Sequence, residues 1–363
     1  MNWLYIFAGF ALLIMLHEAG HYVAAKATGM RVERFFLFFG PTLWSFKRGE
    51  TEYGVKAIPL GGYVKITGMN PEEEMPPEVA HRAYYRQPVW KRIVVIGAGP
   101  AVNIVLAFLI LFGVYMLAAQ KGDQSVGEVN PGSPAAKVLQ PGDEIVSVDG
   151  YTLTGLDTEA RLTAFGRLVG SHRCRGDQVQ GCRSATPVEL QIRRGGELKT
   201  ISVHPEYDKA QKRGLIGFSY GSEPENLSPG AAAGRAWDSM WMVASGTYHV
   251  FAHIFEAEQR KQISGIVGTS DVANQVIDKS AAEAFLLLAL VSLSLGLINL
   301  LPILPLDGGH IFWSIVEKLR GRPVSLQVME RASVVGFALV AMLFFIGLSN
   351  DIGRLTGEGF KVR

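Results

Sequence analysis

His17-Glu18-Ala19-Gly20-His21 is a set of residues that could do chemistry. On a helix, side chains four apart share a face, so both imidazoles can reach one ion. Zinc accepts nitrogen ligands. Glu18 follows the first histidine, where its carboxylate can meet a water beside that ion. Zinc lowers the pKa of such a water towards neutrality, and a carboxylate can then take its proton. The chemistry in view is metal-assisted hydrolysis with Glu18 as general base. The spacing alone occurs by chance in many helices, so its surroundings decide.

Those surroundings are apolar. Residues 4–25, 93–119, 284–306 and 332–350 are nearly free of charge. Each is roughly 19 residues or longer, the length a helix needs to cross a hydrocarbon core. The motif lies within the first stretch. Ionisable groups there cost about 2–3 kcal/mol each when unpaired, so they point to a function rather than to a helix end in water. Met1-Asn2-Trp3 carries no positive charge and no small-residue cleavage site follows, so the stretch is expected to be kept, not removed as a signal peptide. Lys26, Arg31, Arg34, Arg82, Arg86, Lys91 and Arg92 fill the first loop, and Lys318, Arg320, Arg322 and Arg331 fill the last. The excess predicts that both loops face the cytoplasm and that the N-terminus and the central insert lie outside. Net charge is +2, close to neutral, so nothing suggests a nucleic-acid partner.

A catalytic zinc site takes three protein ligands and leaves a fourth position open. The third stretch closes in Asn299-Leu-Leu-Pro302-Ile-Leu-Pro305-Leu306-Asp307-Gly308-Gly309-His310. The charge map places Asp307 in the same layer as His17 and His21, with His310 as its rival. Pro302 and Pro305 are expected to break the helix. Gly308 and Gly309 are expected to let backbone approach the metal. Asn299 is either a helix–helix hydrogen bond or a donor to substrate, and the residues leave both open.

Other segments must position or screen this site. Residues 31–68 are broken by glycine and proline into short pieces, among which 53–58 and 63–67 alternate apolar with polar and read as strands, with Gly61-Gly62 as a bend or a close backbone approach. They form either a small soluble hairpin or a sheet beside the site with an edge free for a substrate strand. Residues 70–80 form an acidic, Pro-rich linker. The insert, 122–206, orders as strand, turn, short helix (134–139), strand, then a later strand pair. Ser133-Pro134-Ala135-Ala136 and Gly142-Asp143-Glu144-Ile145-Val146-Ser147-Val148-Asp149-Gly150 resemble a circularly permuted PDZ domain. Cys174 and Cys182 are the only cysteines, and a disulfide between them fits an oxidising compartment. Residues 207–280 read as an amphipathic, interfacial connector. There Trp237, Trp241, Tyr248, Phe251 and Phe255 recur at helical spacing. His249 and His253 form a weaker competing metal pair.

With these motifs in hand, the chain resembles the site-2 protease (M50) family of intramembrane zinc metalloproteases, in its RseP-type branch with a single PDZ domain. The resemblance runs through HEAGH at 17–21, PLGGYVKITG at 59–68, GAGPAVN at 97–103, ISGIVG at 263–268 and NLLPILPLDGGH at 299–310. It implies one zinc ion on His17, His21 and Asp307, with Glu18 as base and Asn299 assisting the substrate. Gly61, Gly62 and Tyr63 would belong to a β-region that pairs with unwound substrate. The implied fold is a multi-pass α-helical membrane protein of about four transmembrane helices, with a membrane-associated β-region and an extracytoplasmic α+β PDZ insert. Its membrane core would be 1–121 and 281–363. The implied place is a bacterial inner membrane. The implied substrates are single-pass membrane proteins, of the anti-sigma-factor type or signal-peptide remnants, after a first cut by another protease. Ile266 stands where many relatives have proline. Two readings from other classes compete: a catalytically inactive PDZ-bearing adaptor with a structural zinc, and a transporter, for which the spans hold too few ionisable groups.

Overall fold

A computed structural model describes residues 2–70, 72–209, 211–253, 256 and 265–356. Phe255, Ile263 and Ser264 lie outside the described residues. The chain divides into two compact units, Met1–Leu117 with Ser228–Arg363, and Ala118–Leu227.

The first unit opens with α1 (Asn2–Ala27). It stops at Gly29, whose φ of +85° ends the helix, while Thr28 Oγ1 donates to Ala24 O at 2.8 Å. Strands β1 (Val32–Arg48) and β2 (Thr51–Ile66) follow as one long antiparallel hairpin. Its register folds back on itself. Residues 32–37 pair with 62–66 on one side and with 52–55 on the other, and 42–48 pair with 51–56. The segment order is therefore 62–66, 32–37, 51–56, 42–48, which leaves 62–66 as an edge. At one end Glu50 meets Lys26 at 2.5 Å, and at the other Phe38 lies 5.8 Å from Phe7. Phe7 and Lys26 are about 28 Å apart along α1 at ~1.5 Å per residue, so the sheet runs beside most of that helix. Phe39, Leu43, Trp44, Phe46 and Ile58 are exposed on it.

Helix α2 (Val89–Ala118) buries one face: Arg92, Val95, Ile96, Gly99, Pro100, Asn103, Ala107 and Leu111. These recur at helical spacing and include two polar residues, Arg92 and Asn103, and a glycine, Gly99. A Cβ on Gly20 of α1 would stand 2.6 Å from Ala98 O, so the two helices touch through that glycine.

After the second unit the chain returns through α4 (Pro229–Ala252), α5 (Ile266–Lys279), α6 (Ala281–Asn299), α7 (Asp307–Arg320) and α8 (Leu326–Thr356). α1, α2, α6 and α8 are long and apolar enough to cross a membrane. The third of these ends at Asn299 rather than at 306, because Pro302 and Pro305 cannot continue it. Asp307 then opens a separate helix, α7, which the sequence pattern did not mark out. α4 buries Ala232, Ala236 and Met240 and leaves Trp237, Trp241 and Tyr248 exposed. Its aromatic stripe faces outward and its small residues pack inward.

The second unit holds β3 (Gln120–Val129), β4 (Glu144–Val148), β5 (Tyr151–Thr152), β6 (Val188–Arg194), β7 (Glu197–Val203), β8 (Glu206–Asp208), β9 (Arg213–Leu215) and β10 (Phe218–Pro224). The main sheet runs β10-β3-β4-β6-β7, with β5 on β4. Helix α3 (Thr158–Ser171) starts at Asp157, whose Oδ1 accepts from Ala160 N at 2.8 Å. β6 alternates buried Val188, Leu190 and Ile192 with exposed Glu189 and Gln191, so one face makes the core. The unit extends past the 122–206 segment because β10 closes against β3. The short helix expected at 134–139 is a single 3-10 turn, Ala135–Lys137. α3 lay in a stretch whose polarity hid it. Cys174 and Cys182 are joined by a disulfide.

Candidate metal centre

α1 carries His17 and His21 one turn apart, both buried, and α7 brings Asp307 to them across 290 residues of chain. His17 Nε2 is 3.1 Å and His21 Nε2 is 3.3 Å from Asp307 Oδ2, and the two nitrogens are 3.2 Å apart. Among the described residues this is the one group of three such side chains able to share an ion. The triangle has the size of one face of a tetrahedron about zinc, whose ~2.0–2.1 Å bonds give edges of roughly 3.3 Å. With both Nε2 atoms bare, three lone-pair atoms this close repel unless a cation lies between them. Gly99 adds a second sign of fit: a Cβ there would collide with His21 Nε2 and stand 2.8 Å from His17 Nε2. The chain thus keeps a side-chain-free space beside both ring nitrogens.

Partners around the triangle orient it. His21 Nδ1 donates to Val95 O at 2.9 Å, which leaves Nε2 with its lone pair. His17 Nδ1 faces the Asn103 amide at 3.3 Å. Asp307 sits in the first turn of α7, where the helix dipole favours a carboxylate. α7 is held to α2 by Glu317, which accepts two hydrogen bonds from Arg92 at 2.9 and 2.6 Å. That pair makes Arg92 a buried strut rather than the loop charge the sequence suggested. The absent Cβ atoms of Gly308 and Gly309 make room for the 300–304 turn, so they let α7 begin against that turn.

Glu18 is half-buried beside the edge segment of β2. A backbone hydrogen bond from Val64 reaches its carboxyl group. A Cβ on Gly62 would stand 3.0 Å from Glu18 Cγ. Tyr63 stacks on Phe36 and Phe39, with centroids 5.8 and 5.9 Å away. Gly61 turns at φ +77°, where a Cβ would meet the Phe39 ring. Asn299 donates to Leu295 O of its own helix at 3.0 Å. His310 is half-buried and outside the ligand triangle. His249 and His253 lie with ring centroids 4.3 Å apart on an exposed surface, and no third ligand joins them among the described residues. Sequence reasoning did not assign Gly99, Asn103 or the Arg92–Glu317 pair. The signal for Asn103 was available: a lone amide in the middle of an apolar stretch.

Two imidazoles, one carboxylate and an adjacent glutamate on a helical frame are the layout of a zinc-dependent peptidase. The chain belongs to peptidase family M50, whose sequence profile matches residues 5–343. A candidate zinc metalloprotease of Rhizobium meliloti is 32% identical, over 95% of this chain and 95% of its own length. Zinc metalloprotease Rip1 of Mycobacterium tuberculosis is 31% identical, over 95% of this chain and 94% of that protein. Among solved structures, the PDZ domain of the SdrC-like protein of Listeria monocytogenes matches 26% of this chain and 84% of its own, at 21% identity and a TM-score of 0.20. The protein is a metalloprotease and its cofactor is zinc.

Proposed function

We propose that this protease cuts other membrane proteins within or at the edge of the bilayer. His17, His21 and Asp307 would hold the zinc, and the 3.1–3.3 Å triangle they form is the observation that carries the reading. The bound ion supplies Lewis acidity for the attacking water and the scissile carbonyl. Glu18 takes the proton of that water at its carboxylate and returns it to the leaving amine. Gly62 and Val64, on the edge segment of the sheet, sit beside Glu18. An unwound substrate adds there as a further strand, which brings its peptide bond to the base. Gly61 and Tyr63 shape that edge, and Asn299 lies at the end of α6 where it can contact substrate.

In this reading α1, α2, α6 and α8 cross a bacterial inner membrane, with the site near the cytoplasmic side. The domain reading keeps a membrane core at 1–121 and 281–363, with the PDZ domain read at 122–206 lengthened to take in β10 and the interfacial connector, read at 207–280, starting only after residue 227. The PDZ unit lies outside and screens substrates, which are single-pass proteins already shortened by another protease. Anti-sigma-factor-type proteins and signal-peptide remnants fit that description. An inactive adaptor with a structural zinc would close its site with a fourth protein ligand. Among the described residues none joins the three.

The test is cleavage of a model transmembrane substrate by the wild type and by Glu18→Gln. The expected loss is roughly 10²–10⁴-fold with zinc retained. Equal cleavage by the two would remove Glu18 from the mechanism.

A further inference from the structure

Asn103 is fully buried in the middle of α2. Its amide is the partner the structure gives His17 Nδ1, at 3.3 Å. As placed, the nitrogen Nδ2 faces the ring, and Oδ1 is left buried without a donor. A neutral imidazole has one N–H. If Nδ2 donated to Nδ1, the ring proton would sit on Nε2, the very atom that faces Asp307 and His21. That tautomer has no lone pair to offer a metal. The two ends of an amide have nearly the same shape, so their assignment follows from the hydrogen bonds they can make. Exchanging them turns Oδ1 towards His17 Nδ1–H. The ring N–H gains an acceptor, the amide oxygen gains a donor, Nε2 is left bare, and the amide NH2 takes the buried place that Oδ1 held. His21 is already treated this way, with Val95 O in the same part.

The rest of the surroundings fit a fixed post. Ser292 Oγ of α6 donates to Asn103 O at 2.9 Å. A Cβ on Gly296 would stand 3.1 Å from Pro100 O, so α6 and α2 touch closely at this level. Asn103 cannot swing away, and no bulk water reaches it.

We propose that Asn103 is a positioning residue: its amide oxygen accepts from His17 Nδ1–H and holds His17 in its metal-binding tautomer. This rests on the reading of His17 as a zinc ligand. The role needs an acceptor, not an amide. Asn103→Asp supplies one, whereas Asn103→Leu keeps similar bulk and supplies none.

The experiment measures zinc retention by the purified full-length protein in detergent, titrated with EDTA. Asn103→Leu is expected to hold zinc about 10–100-fold more weakly. Asn103→Asp is expected to stay within a few-fold of wild type, and so is Ser292→Ala, which removes only the bond to the Asn103 backbone. If the Leu protein does not fold, Asn103→Ala takes its place with the same expectation. Wild-type retention by the folded Leu or Ala protein would overturn the proposal, as would an Asp protein as weak as Leu. His17→Ala in the same assay tests the ligand reading separately: unchanged zinc there defeats that reading, whatever Asn103 does.

Discussion

Gly99 occupies the one position where a methyl group would fill the space between two ring nitrogens. Gly99→Ala adds that methyl to a helix interior, which by propensity alone favours the helix by about 1 kcal/mol. The expected outcome is therefore a folded protein that has lost most of its zinc and its cleavage activity, seen by metal analysis of the purified variant. Full zinc content in the alanine protein would mean that the ion sits elsewhere. At this scale the sequence was readable where polar residues stood out against apolar ones. His17, Glu18, His21 and Asp307 share that property. Asn103 carried that signal too, as a lone amide in an apolar stretch, but its partner, like that of Gly99, lies more than 70 positions away. No local pattern says that a glycine on α2 faces a histidine on α1.

Elements matter here because the three ligands come from two helices that are far apart in the chain. Three braces hold them: Gly20 against Ala98, Arg92 with Glu317, and Arg82 and Lys26 with Glu50. The last ties the hairpin end to the end of α1. Hydrogen bonds from Arg82 and then Lys26, against the cost of burial, pull the Glu50 carboxyl down to about 2. A depressed carboxylate stabilises above its unfolded value of ~4.3 and loses that effect as pH falls through its folded one. Amide protection around residues 48–53, measured against the intrinsic exchange rate at each pH, should thus fall between about pH 4 and 2. Glu50→Gln should show the lower protection already at neutral pH. A hairpin equally protected in both proteins would make the brace idle. The alternation in residues 53–58 and 63–67 foretold strands, but not their order. The double pairing of 32–37 depends on long-range contacts, and the edge position of 62–66 follows from it.

For the whole molecule, the apolar stretches foretold the helices α1, α2, α6 and α8, because nothing else in the chain is so poor in charge for so long. α7 escaped notice: it is amphipathic and follows two prolines. The inside–outside assignment rests on lysine and arginine counts and can be read directly. The disulfide between Cys174 and Cys182 ties up both sulfurs, and the protein has no free thiol. It is therefore silent towards maleimides, and any cysteine introduced becomes the only reporter in the chain. Glu78 and Glu197 are both exposed, one in the acidic linker and one on the second unit. A membrane-impermeant maleimide should label Glu197→Cys in intact spheroplasts and Glu78→Cys only after lysis. The opposite pattern would invert the topology. What looks like a staple in one loop thus also gives the protein a blank chemical background, on which a single atom of sulfur can report which side of the membrane it lies on.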